Sequence, residues 1–144
     1  MIRNSKEKRT IASLGSVSRI GLGGAPLLGG WGQKPDKKLA STILKKAVQK
    51  GINLIDVAPD YGDGEVELLI GDTFGGILPQ DLKIGSKFPL SKELYTDPEK
   101  YIKQSLHNSL KKMKIDHLDT FILHSRILPD NYPVNELGTE GIHV

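Results

Sequence analysis

Short apolar runs closed by turn residues alternate along the chain with longer stretches in which apolar residues recur every three or four positions. The first pattern suits a buried strand and the second an amphipathic helix. Residues 18–25, Ser-Arg-Ile-Gly-Leu-Gly-Gly-Ala, form the first run, and the preceding segment 11–17 is expected to pair with it as a small hairpin. A loop rich in Gly and Pro follows from Pro26 to Pro35. Asp36 is placed to cap a helix carrying Leu39, Ile43, Leu44, Ala47 and Val48 at helical spacing, and Gly51 stops it. Residues 53–58 read as a second strand. The turn from Pro59 to Gly64 leads into a short helix through Glu67, Leu68, Leu69 and Ile70, broken by glycines at 71, 75 and 76.

Residues 82–88 are a third strand, shut off by Pro89. Thr96-Asp97-Pro98-Glu99 then offers a cap, an early proline and an acid in the first turn, all signals of a helix start. Ile102, Leu106, Leu110 and Met113 supply its expected buried stripe, and residues 118–124 a fourth strand. Pro129, Pro133 and Gly138 mark a further loop, and residues 141–144 are expected to open another helix. Strands separated by helices of this length imply βαβ units, a parallel sheet and right-handed crossovers. No linker or composition shift divides the chain, so residues 1–144 are read as one α/β domain.

Three of these strands are apolar until they finish near a polar residue: Asp56, Lys87 and His124. In a parallel α/β protein the carboxyl ends of the strands share one face, where ligands bind. Tyr61, five residues past Asp56, lies in a loop on that face. These types suit acid–base chemistry on a carbonyl. A phenol is a weak acid near neutrality, a neighbouring ammonium favours its phenolate, and a carboxylate keeps that ammonium charged and in place. A neutral histidine can hydrogen-bond the substrate oxygen. Each residue also has a plainer reading: Asp56 as a turn former, Tyr61 as loop packing, Lys87 as a solvated strand end, His124 as an interior histidine. The convergence of all four on one face favours a site.

Beyond these residues the chain resembles the aldo-keto reductase family. Gly51-Ile52-Asn53-Leu54-Ile55-Asp56-Val57-Ala58-Pro59-Asp60-Tyr61-Gly62, followed by Glu67, is similar to that family's G-I-N-x-x-D-T-A-x-x-Y-G signature and the glutamate after it. Ser105-Leu106, Leu110, Asp116, Asp119 and His124 resemble a second block, Arg19–Gly24 a first barrel strand and Ser86-Lys87 a T-K pair. The resemblance implies a (β/α)8 TIM-barrel fold, here incomplete, with about the first four βα units and an N-terminal β-hairpin. It implies Tyr61 as general acid, Lys87 as its activator, Asp56 as the partner of Lys87, and His124 as the group that orients the carbonyl. It also implies an NADP(H) cofactor, or NAD(H), lying near Gly24, Ala25 and Asp56. The substrate would be a small aldehyde, ketone, sugar or alcohol. Val57, Val66 and Ser86 stand where the family pattern has Thr, Ser and Thr, and none of these departures removes a catalytic group.

Composition narrows the alternatives. Of 144 residues, 38% are hydrophobic, enough for a real core, and the charged fraction of 26% is that of a globular protein. With no cysteine, disulfides and thiolate chemistry are excluded. The net charge of +3 comes from lysines that fit the solvated faces of helices, without aromatics between them to stack bases, so no nucleic-acid partner is expected. No membrane span and no secretory signal are expected, and the cytoplasm is the default location. No clustered His and Asp set suggests a metal. Asp60, Asp63, Glu65 and Glu67 lack calcium-loop spacing and read as solvated turn acids. Pro26, standing where a third glycine would be needed, removes the dinucleotide fingerprint at 21–26.

A complete barrel takes about 250 residues. The chain is therefore also read as a catalytically inactive fragment or pseudo-enzyme that serves as a structural or partner-binding module. Open sheet edges would then favour self-association.

Overall fold

The computed structural model describes residues 7–29, 35–128 and 142–143. A hairpin of β1 (Lys8–Ile11) and β2 (Gly15–Ser18) precedes the main sheet. The sheet is four-stranded and parallel, in the order β3 (Leu22–Gly23), β4 (Leu54–Asp56), β5 (Lys83–Pro89), β6 (Thr120–His124). Between the strands run α1 (Lys37–Gln49), α2 (Glu65–Phe74), the short α3 (Lys92–Thr96) and α4 (Pro98–Met113). The sequential strand order is that of the first four βα units of a barrel.

Period-two alternation divides each strand between two layers. Ile55 and Ile84 face the helices and are fully buried with Leu44, Val66, Ile70 and Met113. The opposite pleat carries Asp56, Gly85, Lys87, Ile122 and His124, as the register pairs Asp56 with Gly85, Lys87 with Ile122 and Pro89 with His124. The polar ends of the strands therefore lie on the face that a closed barrel turns inward.

The helix starts follow local chemistry. Asp36 accepts a hydrogen bond from the Leu39 amide at 2.7 Å, and Asp97 one from Lys100 at 3.1 Å with Pro98 as the first helical residue. Such caps satisfy amides that have no partner within the helix. The Gly71 position lets α2 approach α4 closely, since a Cβ there would lie 2.6 Å from the carbonyl oxygen of Lys112.

Several expectations are corrected. The hairpin joins 8–11 to 15–18, and of residues 18–25 it uses only Ser18; beyond it only Leu22 and Gly23 form strand. Its turn is set by the left-handed Gly15 (φ 70°) and by Leu14, whose amide donates to Ile11 O. It is fastened to the sheet by buried Asn53. Asn53 accepts from the Ser18 amide at 2.6 Å and donates to the carbonyls of Ser16 and Asp81. In α1 the buried residues are Ala40 and Leu44, while Leu39 and Ile43 are exposed, because no element packs on that flank among the described residues. The α4 stripe is fully buried only at Met113, joined by Ser109; Ile102, Leu106 and Leu110 are half-buried. Helix α3, capped by Ser91, was not anticipated. In place of a helix opening at 141–144, β8 (Ile142–His143) pairs in parallel with β7 (Ile127–Leu128). The loop expected through Pro129, Pro133 and Gly138 lies outside the described residues, as do Gly141 and Val144.

Candidate active site

Three residues meet at the ends of β4 and β5. The ammonium of Lys87, almost fully buried, donates to Asp56 Oδ2 at 2.7 Å, to the Val57 carbonyl at 2.8 Å and to the Tyr61 hydroxyl at 3.2 Å. An ammonium has three donors, so the three acceptors saturate it and fix its position. It also lies 4.8 Å from the centre of the Tyr61 ring. Charge-assisted bonds of this kind are the strong ones, and removal from bulk water strengthens them further.

The turn from β4 explains how Tyr61 arrives there. Gly62, Asp63 and Gly64 take left-handed backbone angles in succession (φ 58°, 57° and 87°). Glycine adopts such angles without strain, and Asp is among the few side chains that tolerate them. The chain thus reverses within one turn and enters α2 directly, leaving the Tyr61 ring over the strand ends.

His124 closes the fourth side. Its ring stands edge-on to Tyr61, with centroids 5.7 Å apart and planes at 83°. Its Nδ1 lies 3.2 Å from Asp60 Oδ1. With Nδ1 turned to this carboxylate, Nε2 is the ring nitrogen left for a ligand. Asp60 is an exposed turn acid, as its spacing suggests, and it also borders the candidate site.

Gly24 and Ala25 sit beside Asp56 but differ in exposure. Gly24 is buried, its amide donates to Asp56 O at 2.7 Å, and a Cβ there would lie 2.8 Å from Val57 Cγ1. Its glycine is needed to lock β3 to β4. Ala25, half-buried, opens a 3₁₀ turn ending at Leu28. The exposed residue is Gly23, paired in register with Asp56, where a Cβ would meet nothing within 4 Å.

A second correction concerns Glu67. It is fully buried and accepts from Ser86 Oγ at 2.8 Å. The helical phase of α2 turns it to the sheet. Among the described residues, no cluster of three or more His, Asp or Glu is arranged to hold a metal, and no helix is long and apolar enough to cross a membrane.

Residues 19–133 match the family model described as the aldo/keto reductase family. The chain belongs to that family. It is 32% identical over 136 residues to the uncharacterized oxidoreductase YqkF of Bacillus subtilis, covering 88% of this chain and 42% of that protein. It is 26% identical over 151 residues to an NADH-specific methylglyoxal reductase of Escherichia coli, covering 88% and 46%. Among solved structures, one assigned to the aldo-keto reductases from Pseudomonas aeruginosa superposes with a TM-score of 0.69 at 28% identity, covering 87% of this chain and 51% of that one. The chain thus spans about half the length of these family relatives, and its sheet is part of their barrel.

Proposed function

We propose that this chain carries the acid–base site of a nicotinamide-dependent carbonyl reductase, with residues 1–144 forming one domain that contributes the first four βα units of the barrel. The observation that carries this reading is the Lys87 ammonium bound at once by Asp56, Val57 O and the Tyr61 hydroxyl. In this reading Tyr61 donates its proton to the oxygen of an aldehyde, ketone or sugar carbonyl, and takes it back when the alcohol is oxidised. Lys87 stabilises the phenolate that results, and Asp56 balances the charge of Lys87. His124, braced by Asp60, orients the oxygen through its remaining ring nitrogen.

The strand end at Gly23 is open beside Asp56, since a Cβ there would meet nothing within 4 Å, and this fits the approach of a nicotinamide cofactor. Gly23, the Gly24–Ala25 backbone and Asp56 would hold it, and a bound NADPH or NADH supplies hydride. A cytoplasmic location and the absence of nucleic-acid and membrane partners belong to the same reading.

Replacing Tyr61 by Phe keeps the ring and removes the acid. Carbonyl reduction should fall by about 10²–10⁴-fold while cofactor affinity is spared. Turnover at half the original rate would rule Tyr61 out as the acid.

The exposed inward face supports a second reading, in which the chain alone is inactive. Ile122, in register with Lys87, is 52% exposed. NADPH consumption by the purified 144-residue chain separates the two: turnover supports an autonomous enzyme, and its absence a fragment that needs a partner.

A further inference from the structure

Glu67 is a buried charge to which the acid–base chemistry gives no task. It is fully buried at the start of α2, with Oε1 accepting from Ser86 Oγ at 2.8 Å. Its Oε2 lies 3.5 Å from Nζ of Lys112 on α4, beyond good hydrogen-bonding geometry. A buried carboxylate is costly even when paired, and an apolar residue of similar volume often serves stability as well.

We propose that Glu67 is a positioning residue that sets the Tyr61–Lys87 distance through Ser86. Two features of the chain path place it for this. Tyr61 and Glu67 belong to one continuous turn-and-helix segment, Tyr61–Gly64 running directly into α2, so Glu67 moves with the phenol. Ser86 and Lys87 are adjacent on β5 with opposite faces, so Ser86 reaches α2 while Lys87 reaches the site. The ladder between β4 and β5 has meanwhile run out. Its last register pair is Asp56 with Gly85, and its last bond joins the Val57 amide to Gly85 O. Beyond that point, among the described residues, the side-chain hydrogen bonds that fasten β5 to the Tyr61 side are those of Lys87 itself and the one from Ser86 to Glu67. Lys112, with Nζ 3.5 Å from Oε2, brings α4 into the same assembly. A hydroxyl–carboxylate bond is short and directional, which suits it to fixing a separation in a way apolar packing does not.

The inference rests on Tyr61 and Lys87 being the acid and its partner, but its first readout needs no turnover. Nuclear Overhauser cross-peaks between the Lys87 methylenes and the Tyr61 ring are recorded in the 144-residue chain and in three variants. Ser86→Ala removes the donor and should weaken these cross-peaks. Ser86→Thr keeps the hydroxyl, and Glu67→Gln keeps an acceptor for it, so both should preserve them. Where the wild type turns over, Ser86→Ala should lower kcat on the order of tenfold with KM little changed, and Ser86→Thr should restore it. Undiminished cross-peaks in Ser86→Ala, with only a lower melting temperature, overturn the inference, as does a Ser86→Thr variant as impaired as Ser86→Ala. A wild-type chain with no reductase activity counts against the proposed function and leaves the cross-peak test standing.

Discussion

The middle of the sheet and its two flanks are made of the same kinds of residue but sit in different environments. Around β4, β5 and α2, Ile55, Val57, Val66, Ile70 and Ile84 have no solvent exposure. On the flanks, Leu39 is 51% exposed, Ile43 37% and Ile122 52%. The central unit has a neighbour on each side, whereas α1 with β3 and α4 with β6 have one each among the described residues. In a βα repeat, position in the array is therefore one determinant of burial, since each helix buries one face on its own strands and its sides on its neighbours. Helical phase is the other, as Leu68 of α2 is 37% exposed while Leu44 of α1 and Met113 of α4 have no exposure. The tightly bonded members of the site, Asp56, Tyr61 and Lys87, belong to the closed middle. His124 belongs to a flank and is reached through Asp60.

The largest expected effects come from core truncation in the middle. Ile84→Ala should cost about 2–5 kcal/mol of unfolding free energy, because a rigid surround leaves a cavity, whereas Ile122→Ala should stay within about 0.5 kcal/mol. Equal losses in denaturant titrations would erase the distinction between the two regions. Gly71→Ala tests the other close contact of the middle. Alanine is the better helix former, yet its Cβ would meet the Lys112 carbonyl and the Met113 backbone at 2.6–3.0 Å. A net destabilisation of about 1–3 kcal/mol is expected; stabilisation would mean that α2 and α4 move apart freely.

The flanks predict association. With β3 and β6 each open along one edge among the described residues and Ile122 exposed on the inward face, the chain alone should sediment above monomer mass. Ile122→Asp should shift it toward monomer and leave the fold intact, and a concentration-independent monomer in the wild type would remove the argument. The smallest effect concerns surface charge. The hydrogen bond and charge of Lys114 hold the Asp72 carboxyl below its ordinary range. Because the folded value is the lower one, the pair stabilises the fold above the ordinary carboxylate value and loses that contribution as pH falls through the depressed one. NMR titration should find Asp72 protonating at higher pH in Lys114→Ala than in the wild type.

Local pattern was enough for the parallel four-strand order, for the caps at Asp36 and Asp97 and for the arrival of Asp56, Lys87 and Tyr61 on one face. Strand period, cap chemistry and glycine turns act over a few residues, and parallel strands share their carboxyl ends whatever the details of packing. The family resemblance added roles for these residues and for His124, and pointed to Gly24 where the structure exposes Gly23. Other features depended on contacts between residues far apart in sequence. The seating of the hairpin on the sheet was set by Asn53 reaching back some 35 positions, and the exposure of Leu39 and Ile43 by the lack of a neighbour on that side of α1 among the described residues. Glu67 looks in sequence like one more acid in an acidic turn. Only the seating of α2 on β5 gives it Ser86 as partner, because which face of a helix is buried depends on what that face meets.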